Sequence, residues 1–220
     1  METGFRPFGA LHILILAATI VVPWLLARTK PSRRLFILLG AMLAVNELAW
    51  YAYRFLVEGW RFPDFVPLQL CDLSVWLTAI AALTGAAAVF DLAYYLGVAG
   101  AGMALITPDL WAPCWSYPTL YFWAAHCGIV GILLLMIFSG AGRPRPGSVW
   151  RALLVGNIFA LAAGLFNWAF HTNYMYLREK PAAGSLLDFL GPWPWYILAG
   201  EAMAFVLFGL LWLPFRRRAA

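Results

Sequence analysis

Long apolar runs alternate along the chain with short breaks rich in charge, proline or glycine. Read against those breaks, seven stretches predict helices: Phe8–Ala27, Leu35–Val57, Pro67–Leu83, Ala86–Ile106, Leu120–Ser139, Ser148–Phe170 and Pro192–Pro214. Each is close to the roughly 20 residues that a helix rising ~1.5 Å per residue needs to cross a bilayer core. Only Thr84 and Gly85 separate the third from the fourth, which predicts a tight helical hairpin. On the fourth, Ala93, Gly97 and Ala101 recur every four residues, with Gly100 and Gly102 beside them. Small residues at that spacing let helix backbones approach closely, so this helix is expected at the centre. The pattern predicts an all-α membrane protein: one domain, residues 1–220, built as a single bundle of seven transmembrane helices.

Composition agrees with the pattern. The 220 residues are 64% hydrophobic and 11% charged, with twelve tryptophans, which excludes an ordinary soluble domain. The net charge of +5 sits mostly in three clusters, Arg28–Arg34, Arg143–Arg151 and Arg216–Arg218. That distribution suits anionic headgroups and membrane topology, and nucleic acid is not an expected partner. Of the fifteen basic residues, ten fall on the side that holds the first, third and fifth loops and the C-terminus. The positive-inside rule then puts the C-terminus in the cytoplasm and the N-terminus outside, in a multi-pass protein of the cell membrane. The first apolar run lacks a small residue three back from Ala27, where a signal-peptide cleavage site would want one; it is expected to remain as the first helix.

Against this background the polar residues inside the spans stand out, because an ionised carboxylate at mid-span costs about 2.5–3.5 kcal/mol or more. Glu47, Tyr51 and Arg54 share one face of the second helix. Glu47 reads either as part of a proton or ion relay or as an interhelical hydrogen bond, and Glu201 on the seventh helix carries the same two readings. Asp91 lies near the start of the fourth helix, where the helix dipole stabilises a carboxylate. On the third helix Cys71, Ser74 and Thr78 form one stripe, with Gln69 and Asp72 a little way round. Helix starts at Pro67 and Leu120 put Cys71 about 6 Å and His126 about 9 Å inside the same outer face. The pair reads as nucleophile and base, or as a small hydrophobe and a histidine bonded across helices.

The outer loops hold further candidates: Asp109 and Trp111 after the fourth helix, then Asn173, Tyr174 and Asp188, then Trp193 and Trp195 before the seventh. The tryptophans also match an aromatic belt. The stretch from His171 to Gly191 holds Tyr174, Met175, Tyr176, Leu177, Leu186, Leu187 and Phe189. So much apolar surface must bury against something, so the loop is expected to fold inward as a lid; anchoring at the headgroup level is the rival. His12, His126 and His171 have no metal-ligand spacing, and no nucleophile elbow, P-loop or dinucleotide fingerprint occurs, so no metal or cofactor is expected.

Several motifs together carry a resemblance. Pro67 to Cys71, Leu105 to Trp111, Ala125-His126, Asn173 to Met175 with Lys180-Pro181, and Ser185 to Tyr196 resemble YwaF-type bacterial integral membrane proteins. That family is more distantly similar to a eukaryotic cysteine-dependent membrane acyltransferase of ether phospholipids, matched here at Cys71 and His126. The resemblance implies a lipid acyltransferase or hydrolase with membrane lipids as partners. Cys71 would attack and His126 would act as base; apart from the resemblance, Asn173 or Tyr174 of the outer loop is the candidate donor to the oxyanion. Gln69, Asp72, Asp109, Trp111, Asp188, Trp193 and Trp195 are the candidate substrate-binding residues. The alternative is a transporter or small-ligand-binding membrane protein that uses Glu47, Asp91 and Glu201.

Overall fold

The computed structural model describes residues 5–181 and 186–218. Within them lie seven α-helices: α1 Ala10–Arg28, α2 Arg33–Leu56, α3 Leu70–Thr84, α4 Ala87–Ile106, α5 Tyr117–Ser139, α6 Ser148–Phe170 and α7 Trp195–Trp212. Short 3-10 turns occupy Tyr174–Tyr176, Leu186–Leu190 and Leu213–Arg218, and no strand occurs among the described residues. Six of the helices are long and apolar enough to cross a membrane. The exception is α3, whose 15 residues rise about 22 Å against a ~30 Å hydrocarbon core.

The reason α3 is short lies at its ends. The expected start at Pro67 moves to Leu70 because the Asp72 carboxylate accepts the backbone N–H of Gln69 at 2.9 Å, closing the helix there. The other end stops at Gly85, whose φ of 72° is a left-handed cap. Arg33 of α2 then donates to the orphan carbonyls of Ala82 and Leu83, where the dipole favours a cation. At α5 the start moves from the expected Leu120 back to Tyr117, since Pro118 suits a first helical turn. For α7, expected from Pro192, the helix starts only after Pro194.

The centre of the bundle is α4, which packs on α3, α5, α6 and α7. Ala93 and Ala101 are fully buried, and a Cβ on Gly97 would lie 2.8 Å from side-chain atoms of both Ile129 and Leu133. A larger residue there would have to push the Ile129 and Leu133 side chains aside. On the outer rim, α1 is pinned by His12: the Phe8 N–H donates to Nδ1 at 2.8 Å, so Nε2–H donates to the Leu105 carbonyl at 2.7 Å. Outward-facing Leu14, Val45, Leu154, Leu161 and Trp168 are exposed, as helices bathed in hydrocarbon require.

Candidate functional site

Cys71 is the second residue of the short α3. The sulfur faces the backbone N–H groups of Asp72 and of Cys71 itself. Those first-turn N–H groups have no helical acceptor and form the positive end of the helix. One face further along, Thr78 lies 3.6 Å from the Cβ position of Gly97, beside Ile129 and Leu133 of α5. Thr78 of the α3 stripe and Ile129 and Leu133 of α5 thus meet at Gly97, with Cys71 two turns before Thr78 on its helix and His126 about one turn before Ile129 on its own.

This register replaces the depths expected from helix ends. Cys71 is only ~1.5 Å past the start of α3 and His126 about 13.5 Å past the start of α5. Aligned through Gly97, the two lie within about one helical turn of each other along the bundle axis. No hydrogen bond joins Cys71 to His126. Instead His126 Nδ1 is 2.8 Å from the Phe122 carbonyl, and its ring lies 4.2 Å from the Phe122 ring. A carbonyl can only accept, so Nδ1 carries the proton and Nε2 keeps its lone pair. Nε2 has no hydrogen-bond partner among the described residues.

Beside Cys71 lies a buried acidic network. Glu47 is completely buried, and the Tyr121 hydroxyl donates to its Oε2 at 2.6 Å. Its Oε1 is buried with no partner. Asp72 and the Tyr51 hydroxyl lie within electrostatic reach of Glu47, and Trp76 Nε1 donates to Tyr51 at 3.2 Å. Arg54 caps the group from above, over the Trp60 ring at 3.2 Å and 3.4 Å from Glu58. Tyr121 was not a sequence candidate. Its signal was its place: a tyrosine one turn inside an apolar run, on the face that Gly128 turns toward Leu43 of α2. It also stacks on Trp50, centroids 4.3 Å apart.

The loop after α6 reaches this region. The Met175 N–H donates to Gln69 Oε1 at 2.9 Å, two residues before Cys71, so the segment folds inward over the start of α3. Asn167 holds it from below, accepting the Tyr174 N–H at 2.8 Å and donating to the Tyr174 carbonyl at 2.9 Å. Met175 and Tyr176 both adopt φ near +55° (56° and 53°), a conformation that costs non-glycine residues about 1–3 kcal/mol each. Ser185, where one sequence motif begins, lies outside the described residues.

The two expected oxyanion donors are spent elsewhere. Asn173 Nδ2 donates to the Glu179 carbonyl at 2.9 Å, and its Oδ1 accepts the N–H of Arg178 at 3.0 Å. The Tyr174 hydroxyl donates to the Pro63 carbonyl at 2.8 Å, and burial pushes its pKa up to about 12. Tyr176, read from the sequence only as part of the apolar loop, lies within electrostatic reach of Cys71, with its hydroxyl 3.5 Å from Asp109 Oδ2; burial raises its pKa as well. Both phenols thus stay protonated donors at neutral pH. Trp111 packs near Trp50, with centroids 6.3 Å apart. Asp188 pairs with Lys180 at 3.8 Å, Trp193 donates to the Leu177 carbonyl at 3.1 Å, and Trp195 is exposed.

The remaining carboxylates do not join the network. Asp91 is fully buried but accepts from Arg145 and Arg151 at the other end of the bundle. These guanidinium groups, rather than the helix dipole, compensate its charge. Glu201 accepts from Asn157 at 2.7 Å between α6 and α7. Among the described residues, no hydrogen-bonded chain links Glu47, Asp91 and Glu201. A family model described as the TMEM164 family matches residues 6–212. No curated protein and no solved structure matches the chain.

Proposed function

The chain belongs to the TMEM164 family of multi-pass membrane proteins, and we propose that it is a lipid-acyl enzyme, transferase or hydrolase, acting through Cys71 and His126. The observation that carries the reading is the state of His126. With Nδ1–H tied to the Phe122 carbonyl, Nε2 is a fixed base without a hydrogen-bond partner among the described residues, about one turn before Ile129 on α5, the residue that meets Gly97 together with Thr78 of α3.

In the proposed reaction Cys71 attacks an ester carbonyl while its proton passes to His126 Nε2. The carbon–oxygen bond breaks, the leaving alcohol takes that proton, and a thioester remains on Cys71. A lipid hydroxyl or water then gives its proton to His126, attacks the thioester and restores the thiol. The first-turn N–H groups of α3 are the donors we assign to the oxyanion, in place of Asn173 and Tyr174. The inward fold of the loop supports the lid that an acyl intermediate needs against water. The resemblance to YwaF-type proteins and to the ether-phospholipid acyltransferase supports the same chemistry.

In the topology that goes with this reading all seven helices cross the cell membrane, α3 with its first turn recessed. The N-terminus lies outside and the C-terminus in the cytoplasm, and membrane lipids are the partners. The transporter alternative has no support from Glu47, Asp91 and Glu201, because each is held by separate partners.

The test is labelling of purified protein by a thiol-reactive acyl ester probe. Labelling is expected to vanish in Cys71→Ala and to slow about 100-fold or more in His126→Ala. Full labelling of Cys71→Ala would remove the nucleophile, and an unchanged rate in His126→Ala would remove the base.

A further inference from the structure

Of the spanning helices, α6 and α7 bury the smallest share of their residues, and their outward faces look onto lipid. One polar pair sits on that surface. Asn157 and Glu201 are both exposed, and among the described residues no other carboxyl or carboxamide inside an α-helix is. Asn157 lies nine residues after the start of α6 and thirteen before its end, about 14 Å and 20 Å along the axis. Glu201 shares its depth, because Asn157 Nδ2 donates to Glu201 Oε1 at 2.7 Å. The same Nδ2 also donates to the Leu153 carbonyl at 2.9 Å, so both its protons are spent. Asn157 Oδ1 and Glu201 Oε2 remain without a hydrogen-bond partner among the described residues. At mid-span neither is solvated by the bilayer, so exposing this pair to hydrocarbon is costly.

Whatever covers the pair must bring polar groups to the middle of the membrane. A lipid tail offers only methylenes there, and headgroups and water lie about 15 Å away. A second copy of the chain, in the same bilayer and the same orientation, carries the same two groups at the same depth. We infer that the α6–α7 face is the interface of a homodimer with its twofold axis along the membrane normal. The Glu201 carboxyl of each copy carries its proton and donates from Oε2 to Asn157 Oδ1 of the other. One open donor and one open acceptor per copy are self-complementary, which is what a twofold interface requires. The surface beside the pair also suits a helix. Gly156, Ala160, Gly200 and Ala204 line a groove of about 260 Å³, and a Cβ on Gly200 would meet nothing within 4 Å. Such low relief lets a neighbouring helix come close enough for side-chain hydrogen bonds.

Full-length protein carrying a donor or an acceptor fluorophore at its C-terminus is co-reconstituted in phosphatidylcholine liposomes, and energy transfer is followed as lipid is added. Transfer is expected to exceed that of freely diffusing labels and to fall along a dimer dissociation curve. Glu201→Leu and Asn157→Leu should each move the midpoint about tenfold toward higher protein-to-lipid ratio, the worth of two hydrogen bonds between helices. Glu201→Gln should stay within about twofold, because its amide can donate to Oδ1 and accept from Nδ2. Photo-crosslinking tests the face itself. Benzoylphenylalanine in place of Leu198, one turn from Glu201 and 59% exposed, should give covalent dimers. In place of Ile13, 50% exposed on α1, it should not, since α1 packs on α5 away from this face. Transfer no greater than that of freely diffusing labels at every ratio would mean that lipid or another protein covers the face, and would overturn the inference. So would an unmoved midpoint in Glu201→Leu, or dimers crosslinked from α1 and not from α7.

Discussion

Among the described residues, two carboxylates are completely buried, and they are treated in opposite ways. Asp91 receives the Arg145 backbone N–H at 3.0 Å, Arg145 Nε at 2.8 Å and Arg151 Nη2 at 3.0 Å. Arg145 and Arg151 come from the loop before α6 and from α6 itself, and Tyr95 bonds Ser148 at 3.0 Å close by. Both oxygens of Asp91 are satisfied, and the charge is neutralised in place. Glu47 has one neutral donor, Tyr121, and an oxygen with nothing. A buried charge with a full set of donors fastens elements together; a buried acid left half-satisfied is retained at a cost and marks a working region. The cytoplasm-facing end of the proposed topology is thus a lock, and the opposite end holds the candidate chemistry.

The largest expected effect breaks the lock. Asp91→Ala leaves two guanidinium groups without their carboxylate and frees the loop before α6. Removing one partner of a buried pair costs about 3–5 kcal/mol. Both guanidinium groups are half-exposed and can turn to water, so about 3 kcal/mol is expected, read as a loss of melting temperature in detergent. A change below ~1 kcal/mol would mean that Asp91 is not a lock, and the contrast with Glu47 would dissolve.

The middle effect sharpens the other half of the comparison. Tyr121→Phe strips Glu47 of its one donor and should cost about 1–3 kcal/mol, the penalty of an unsatisfied buried acceptor. Adding Glu47→Leu should recover most of that loss, since replacing both partners by apolar groups is close to neutral. The same double variant is expected to lose acyl labelling of Cys71, because the polar network beside the thiol is gone. If the double variant is less stable than Tyr121→Phe alone, Glu47 is structural glue and resembles Asp91 after all.

How much of this was legible in the sequence differs between the two ends. Helix identity was, because length and hydropathy settle it locally: α6 runs Ser148–Phe170 as read, and the Gly85 hairpin and the small-residue face of α4 stand where the spacing put them. Starts were less legible, because the Asp72 cap that delays α3 competes with an apolar run that looks continuous from Pro67. Partner identity was least legible. Nothing local shows that Glu47 meets Tyr121, that Asp91 meets Arg145, or that Asn173 folds back on Glu179. Those pairings depend on how helices dock, and a single sequence carries no record of it.

The smallest effect concerns the link between the acidic end and its cover. Gln69 caps α3 through its own N–H, bonded to Asp72, while its side chain holds the Met175 N–H at 2.9 Å. One residue therefore joins the start of the Cys71 helix to a loop that carries two left-handed non-glycine residues. That backbone is strained by a few kcal/mol by the usual scale, so the loop opens when its fastenings weaken. Gln69→Ala removes the bond to the Met175 N–H and the side-chain half of the capping box, about 1–2 kcal/mol, and leaves the Gln69 N–H bonded to Asp72. Global stability should fall by no more than that, because Asn167 and the Tyr196 hydroxyl still hold the segment. Local opening should rise about fivefold, read as faster tryptic cleavage after Arg178 and faster alkylation of Cys71. No change is expected at the Asp91 end, where nothing bonds to this loop. Equal cleavage and alkylation rates in wild type and Gln69→Ala would show that the loop is fastened by Asn167 and Tyr196 alone, with no coupling to the helix that carries Cys71.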